Sequence, residues 1–153
     1  MGFYYKLIIF LIVNFGALWL GGILQGEGAR SNWYLGLDIA PWTPPGWVFG
    51  VAWVSIMLCF SLFMAYTADF KAINLLMALF LIQLIMNVSW NAIFFRYHMP
   101  GFSLLVILLL TITIGIIFFT SFKAWPQKSL LLLPYLIWLI LATSLNWYVW
   151  IKN

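Results

Sequence analysis

One segment of the sequence carries amide side chains at helical spacing. Gln83, Asn87 and Asn91 recur every four residues, so a helix places all three amides on one face, with Trp90 beside them. In a membrane, such amides either hydrogen-bond across to neighbouring helices, at about 0.6 kcal/mol each, or orient a bound ligand. The sequence leaves both alternatives open, and in the second at least Asn87 faces a ligand cavity.

Two further faces are rich in aromatic side chains. Their members are Tyr135, Trp138, Ala142 and Asn146 on one face and Phe49, Trp53 and Phe60 on the other. Most tryptophans of a membrane protein lie at the membrane–water interface, where the indole N–H is hydrated. Trp53, Trp90 and Trp138 lie too deep within their segments for that explanation. Their flat rings suit stacking on a planar apolar ligand.

Ordinary acid–base, metal and nucleotide chemistry finds no support in the sequence. The carboxylates Glu27, Asp38 and Asp69 lie outside the apolar segments, and His98 stands alone. No metal-ligand, serine-hydrolase or phosphate-loop motif is present, so no metal or cofactor is expected. Ion-coupled transporters normally keep an ionisable group within the membrane, and this sequence places none there.

The composition requires a membrane environment for these segments. Of the 153 residues, 66% are hydrophobic and 7% are charged, against about 25% charged in an average soluble domain. Too few polar residues remain to cover a soluble surface. The net charge of +4 comes from scattered Lys and Arg, so a nucleic-acid-binding domain is excluded. Aromatic residues make up 20% of the chain and include ten Trp, more than membrane anchoring requires.

The charged residues divide the sequence into five apolar stretches of membrane-spanning length. A spanning helix needs roughly 20 apolar residues. The predicted helices cover 6–26, 47–68, 72–95, 101–122 and 129–151. We therefore predict an all-α integral membrane protein, with a single domain over 1–153 and a kink at Pro134 within the last helix. The positive-inside rule weakly favours a cytoplasmic N-terminus.

The first connection is the long one, at roughly 20 residues between Gly26 and Gly46, while the others are only a few residues long. Loops of that length in a compact protein are usually functional lids or binding loops. The sequence therefore predicts a lid over one end of the bundle.

Three motifs resemble those of one known family. Residues 42–50 read WTPPGWVFG, residues 87–90 read NVSW and residues 134–138 read PYLIW. In this order, and over nearly the whole chain, they resemble the translocator protein family, also called the tryptophan-rich sensory protein or peripheral benzodiazepine receptor group. One departure is Ala40, which stands where the family commonly has Pro, so the backbone of the lid is expected to differ.

The resemblance implies a five-helix bundle with a cavity beneath the lid that binds porphyrins, such as protoporphyrin IX, and other flat hydrophobic molecules. Trp53 and Trp138 match a Trp pair implicated in porphyrin binding and in light-dependent porphyrin breakdown. The expected ligand-binding residues are Tyr34, Trp42, Pro44, Phe49, Trp53, Asn87, Trp90, Tyr135, Trp138 and Ala142. The resemblance also implies a homodimer, and we expect a prokaryotic cell membrane as its location.

Three functions follow as hypotheses. The first is a receptor or sensor for porphyrins and heme precursors. The second is an enzyme in which Trp53 and Trp138 serve the light-dependent breakdown of bound porphyrin. The third is a passive transporter of tetrapyrroles or lipids.

Overall fold

The computed structural model describes residues 2–68 and 74–153, and helices dominate both ranges. The helices are α1 (Phe3–Leu24), α2 (Asn32–Leu35), α3 (Gly46–Thr67), α4 (Leu75–Asn91), α5 (Pro100–Phe122), α6 (Pro126–Ser129) and α7 (Leu133–Lys152). Short 3-10 turns occupy Gly28–Arg30 and Leu130–Leu132, and a π-helical turn, Ala92–Arg96, continues α4. No β-strand occurs within the described ranges.

Five helical segments are long and apolar enough to cross a membrane, which confirms the predicted number. They are built on α1, α3, α4, α5 and α7, and each contains at least 22 residues with its short flanking turns. The observed bounds differ from the predicted ones by a few residues at most ends. The predicted start of the third span, at residue 72, lies outside the described residues.

Local sequence signals set several helix starts. Pro45 immediately precedes α3, and Pro100 opens α5, where its missing N–H removes no intrahelical hydrogen bond. The Asn74 side chain caps α4 by accepting a hydrogen bond from the Met77 N–H at 3.1 Å. Pro134 lies within the fifth span, Pro126–Lys152, where the 3-10 turn Leu130–Leu132 gives way to α7, and the kink there stays a prediction.

Aromatic side chains from α1, α3, α4 and α7 pack together in the half of the bundle away from the lid. Phe10 of α1 meets Phe80 of α4 with ring centroids 5.1 Å apart, and Phe60 of α3 contacts Phe80 at 5.6 Å. The same Phe60 contacts Tyr135 of α7 at 5.6 Å. All four side chains are buried. Bulky rings thus fill the space between these four helical positions.

The lid, residues 26–45, is fastened to the bundle at both ends. At its start, Trp33 stacks on His98 at 4.2 Å with the rings nearly parallel. At its end, the Trp42 indole N–H donates to the Ser144 hydroxyl of α7 at 3.1 Å. These attachments hold the lid across one end of the bundle.

Between these points the lid is joined to the last residue of the chain. The Asp38 N–H donates to the Asn153 side-chain oxygen at 2.9 Å, and the Asn153 amide donates to the Asp38 carbonyl at 3.3 Å. Ala40, at the position of the family's Pro, is buried, and its carbonyl accepts from the Thr43 hydroxyl at 2.7 Å. The turn that carries Pro44 is therefore closed by hydrogen bonds within the lid.

Candidate cavity beneath the lid

A cavity of about 600 Å³ lies between the helices directly beneath the lid. Its volume falls within the roughly 300–1,000 Å³ typical of small-molecule sites. Eight of the ten residues predicted to bind ligand line it, namely Tyr34, Pro44, Phe49, Trp53, Asn87, Trp90, Trp138 and Ala142. The structure thus brings together residues from the lid, α3, α4 and α7. Their roles in ligand binding stay predictions.

Three aromatic rings meet edge to face in one wall of the cavity. The Trp53 and Trp138 rings lie 6.5 Å apart with their planes 74° from parallel, and Phe49 meets Trp138 at 5.1 Å and 89°. This is the arrangement that aromatic quadrupoles favour. Neither indole N–H of this Trp pair donates a hydrogen bond to a described residue, although Trp138 is only 7% exposed. The rings are fixed by packing, while their N–H groups stay free to meet a ligand.

The three amides on one face of α4 do not all have the same role: one hydrogen-bonds to a neighbouring helix, and another faces the cavity. Gln83 is fully buried below the cavity and accepts a hydrogen bond from the Tyr135 hydroxyl at 3.0 Å, so it connects two helices. Asn87 lines the cavity, and its side chain, only 6% exposed, has no hydrogen-bond partner among the described residues. Asn91 also lines the cavity and donates to the Asn87 carbonyl at 3.1 Å. Gln83 therefore connects two helices, and the Asn87 side chain is available to a ligand.

Trp90 is held in the cavity wall by a hydrogen bond. Its indole N–H donates to the Asn146 side-chain oxygen of α7 at 3.0 Å, and its ring stacks on Phe94 at 5.3 Å. Phe94 belongs to the π-helical turn after α4. Such turns frequently occur at functional sites because they redirect side chains. Here the turn places Phe94 against Trp90 and turns the neighbouring Phe95 into the cavity wall.

The lid supplies a polar edge to the cavity. Ser31 caps α2 by accepting a hydrogen bond from the Tyr34 N–H at 3.2 Å, which fixes the start of this short helix. Tyr34 then lines the cavity, with its ring 5.4 Å from Phe95. Burial raises the pKa of the Tyr34 phenol, so its hydroxyl is neutral near pH 7 and can donate a hydrogen bond.

Two of the predicted residues lie outside the cavity wall. Trp42 is 48% exposed and holds the lid through Ser144, with its ring 5.3 Å from Tyr148. Tyr135 is buried beneath the cavity, against Trp53 and Phe60. The structure does not bring these two side chains into the cavity wall, and their roles in ligand binding stay predictions. Tyr135 lies below the cavity because the axial level of its side chain depends on how the helices are offset, which the period of one helix does not contain.

The choice of predicted residues omitted several that line the cavity. They include Gln25, Thr43 and Phe95, together with three glycines at positions 22, 46 and 50. Phe95 follows the third-helix motif directly, and Gln25 continues the polar face of α1, so sequence signals existed for both. Nothing in the sequence distinguishes the cavity glycines from glycines that pack helices together.

The described part of the cavity wall contains no charged side chain. Its polar groups are neutral amides and hydroxyls, among them Gln25, Tyr34, Thr43 and Asn87. No group of His, Cys, Asp or Glu suited to a metal ion occurs among residues 2–68 and 74–153. The cavity therefore suits a ligand that is largely apolar and carries a few hydrogen-bonding groups.

The chain is similar to known proteins over nearly its whole length. The profile described as "TspO/MBR family" matches residues 8–151. The human Translocator protein is 33% identical over 138 residues, which cover 85% of this chain and 79% of that protein. The Tryptophan-rich protein TspO of Archaeoglobus fulgidus is 29% identical over 150 residues, with 97% of each chain covered. Protein CrtK of Rhodobacter capsulatus is 32% identical over 139 residues, covering 86% and 83% of the two chains.

Proposed function

The chain belongs to the TspO/MBR family and is an integral membrane protein, and we propose that it is a receptor or sensor that binds porphyrins and similar flat hydrophobic molecules in the cavity beneath its lid. One observation carries the proposal: the rings of Trp53 and Trp138 lie together in the wall of the cavity, whose volume is about 600 Å³. We also propose that the protein resides in a prokaryotic cell membrane and forms a homodimer there. Chemical crosslinking in native membranes tests the homodimer.

The aromatic wall favours a planar ligand. Two indoles and the Phe49 ring offer broad apolar surface, and a ligand that covers them gains about 25 cal/mol for each Å² of apolar surface removed from contact with solvent. Asn87 adds one neutral amide without a protein partner, which can orient a polar group at the ligand's edge. A flat macrocycle with few polar atoms meets both requirements.

The absence of charge in the described cavity wall also predicts the orientation of a porphyrin. Its carboxylates would lose hydration in an apolar cavity with no cation to pair them. We therefore expect the carboxylates at the lid end, near Gln25 and Thr43, with the apolar edge of the macrocycle towards Trp53.

Replacement of the Trp pair tests the proposal directly. The double variant Trp53→Phe/Trp138→Phe should bind protoporphyrin IX at least about tenfold more weakly, since it loses two large ring surfaces and two N–H groups. The matched control is Trp19→Phe/Trp47→Phe, because these tryptophans are 69% and 71% exposed and lie outside the cavity wall. Affinity is measured by quenching of the remaining Trp fluorescence. Equal affinities in the two double variants would refute the site.

The Trp pair also supports light-dependent porphyrin breakdown as a second activity. Indole is electron-rich, and two indoles in one cavity wall give an excited porphyrin a nearby partner for electron exchange. We expect illuminated protoporphyrin IX to lose its main absorption band in air with the wild type and to keep it with Trp53→Phe/Trp138→Phe. Equal bleaching with both proteins at saturating porphyrin contradicts this activity and leaves the binding proposal standing.

Passive transport is the alternative to sensing. The described cavity wall contains no Asp, Glu, His, Lys or Arg that could couple passage to an ion gradient, whereas downhill passage needs none. Porphyrin flux into sealed liposomes, faster with the protein than with lipid alone, would favour transport. Binding without accelerated flux favours the receptor.

A further inference from the structure

Two contacts fix how α1 lies against α3. Phe3 meets Tyr66 at 4.6 Å, and the Asn14 amide donates to the Ser61 hydroxyl at 2.8 Å. The two helices are antiparallel, so this register brings the end of α1 opposite the start of α3. Gly22 of α1 and Gly50 of α3 both line the cavity there.

The ends of α1 and α3 nearest the lid carry glycines where the two helices border the cavity. Gly22, Gly46 and Gly50 all line the cavity, and a Cβ atom added to any of them would meet nothing within 4 Å. By contrast, a Cβ added to Gly21, one residue before, would lie 2.9 Å from the Asn91 amide. The open space therefore belongs to the side of α1 that faces α3, and the opposite side is packed against α4.

The same glycines lie on the outer surface of the bundle. Gly22, Gly46 and Gly50 are exposed, and Val54, one turn further along α3, lines the cavity while being 45% exposed. A residue that borders the cavity and is also exposed marks an opening in the wall. The four residues therefore surround a gap between α1 and α3.

The α3 side of this gap lies along a helix that is long enough to cross the layer of lipid chains. The 22 residues of α3 make a helix about 33 Å long, close to the roughly 30 Å thickness of the hydrocarbon layer. Gly50 and Val54 then lie about 6 and 12 Å from the start of the helix. Their neighbours Val51 and Leu58 are 57% and 45% exposed, as expected for a helix face in contact with lipid.

We propose that ligands enter the cavity sideways from the bilayer through this gap, the portal, whose edges are Gly22, Gly46, Gly50 and Val54. The ligands are then planar apolar molecules dissolved among the lipid chains, and access from water beneath the lid is not required. The lid stays fastened through Trp42 and Asn153 while ligand passes below it. This inference rests on the proposed function, because it assumes that the cavity holds a planar hydrophobic ligand, to which the Asn87 side chain in the cavity wall is available.

Blocking the portal is the first test. Gly50→Leu places a side chain in the gap, and Val54→Trp enlarges a lipid-facing side chain at its edge. In nanodiscs, protoporphyrin IX should associate with and dissociate from both variants at least about tenfold more slowly than with wild type. Gly115→Leu is the matched control, because its Cβ also meets open space but it lies outside the cavity wall. A variant that merely weakens ligand contacts speeds dissociation, so unchanged or faster dissociation in both portal variants overturns the proposal.

Locking the lid is the complementary test. Asp38→Cys with Asn153→Cys, in a Cys59→Ala background, allows a disulfide to replace the observed hydrogen bonds between lid and α7. The portal predicts porphyrin rates within about twofold of the reduced protein. Rates that fall at least about tenfold on oxidation show entry beneath the lid and overturn the portal.

A third measurement needs no porphyrin and so separates failure of the portal from failure of the proposed function. A bimane fluorophore on Gly50→Cys, in the Cys59→Ala background, is exposed to nitroxide-labelled lipid or to aqueous iodide. Quenching by the lipid and protection from iodide support an opening towards the bilayer. Quenching by iodide alone overturns it, whatever the affinity of the wild type for porphyrin.

Discussion

The Asn146 side chain joins three helices, so its replacement should strongly destabilise the protein. Its oxygen accepts from the Trp90 indole N–H at 3.0 Å and lies 2.9 Å from the Ser103 hydroxyl. Its amide donates to the Pro100 carbonyl at 2.8 Å. The residue is 2% exposed, so water cannot replace these partners without rearrangement. Asn146→Leu keeps the approximate volume and removes all three hydrogen bonds.

The expected loss follows from these contacts. Interhelical hydrogen bonds in membrane proteins contribute about 0.6 kcal/mol each, so three give about 2 kcal/mol. The Trp90 N–H is left without its partner, which adds about 1–2 kcal/mol for a partly buried donor. We expect Asn146→Leu to lower the free energy of unfolding by about 3–4 kcal/mol. Because Trp90 lines the cavity, porphyrin affinity should fall as well.

The assay is reversible unfolding by dodecyl sulfate in mixed micelles, followed by circular dichroism. Thr111→Val is the control, because the Thr111 hydroxyl donates only to the Ile107 carbonyl of its own helix, at 2.7 Å. It should change stability by less than about 0.5 kcal/mol. A double-mutant cycle between Asn146→Leu and Trp90→Phe should show coupling of about 1 kcal/mol. An Asn146→Leu protein within about 0.5 kcal/mol of wild type would refute the account.

Three further predictions concern the helix contacts around the cavity. Tyr135→Phe should lower the free energy of unfolding by about 1–3 kcal/mol in the same assay, because it leaves the buried Gln83 oxygen without its hydrogen-bond donor. An unchanged free energy of unfolding contradicts this. Gly21→Ala should displace the Asn91 amide, which lies 2.9 Å from the added Cβ and donates to the Asn87 carbonyl, so it should gain less stability than Gly115→Ala, whose added Cβ meets open space and keeps the helix-propensity gain of about 1 kcal/mol; equal gains contradict this. Trp42→Phe keeps an aromatic ring against Tyr148 but loses the hydrogen bond to Ser144. Amide hydrogen exchange across residues 32–45 should therefore become about fivefold faster. Unchanged exchange would show that the ring contact alone holds the lid.

The five spans were predictable from the sequence because charged side chains cannot remain in the hydrocarbon layer. Each gap between charges had spanning length, and the helices formed there. The lid was also predictable, since one connection alone was long. The rotation of each helix was partly predictable, because Asn87, Trp90 and Trp138 all lie on faces directed into the bundle.

The height of each side chain along the bundle axis was not predictable from the sequence. Gln83 and Asn87 share one face of α4, yet one turn of helix separates a side chain paired with Tyr135 from one that borders the cavity. The difference depends on which part of α7 stands opposite, and the spacing within α4 carries no information about that. The same limit explains why Trp42 is recognisable as a motif residue while its bond to Ser144 is not.

The polar groups around the cavity differ in whether their side chains are paired. Trp90 is paired through Asn146. Asn87 and the Trp53/Trp138 pair border the cavity without hydrogen bonds from their side chains to any described residue. The fully buried polar atoms without a partner among the described residues are Asn14 Oδ1, Gln83 Nε2 and Thr143 Oγ1, and they lie outside the cavity wall, so an unpaired group alone does not mark a ligand site. Asn87 and the two indoles converge on one space with an aromatic wall, and this convergence favours a ligand that satisfies the amide and covers the rings.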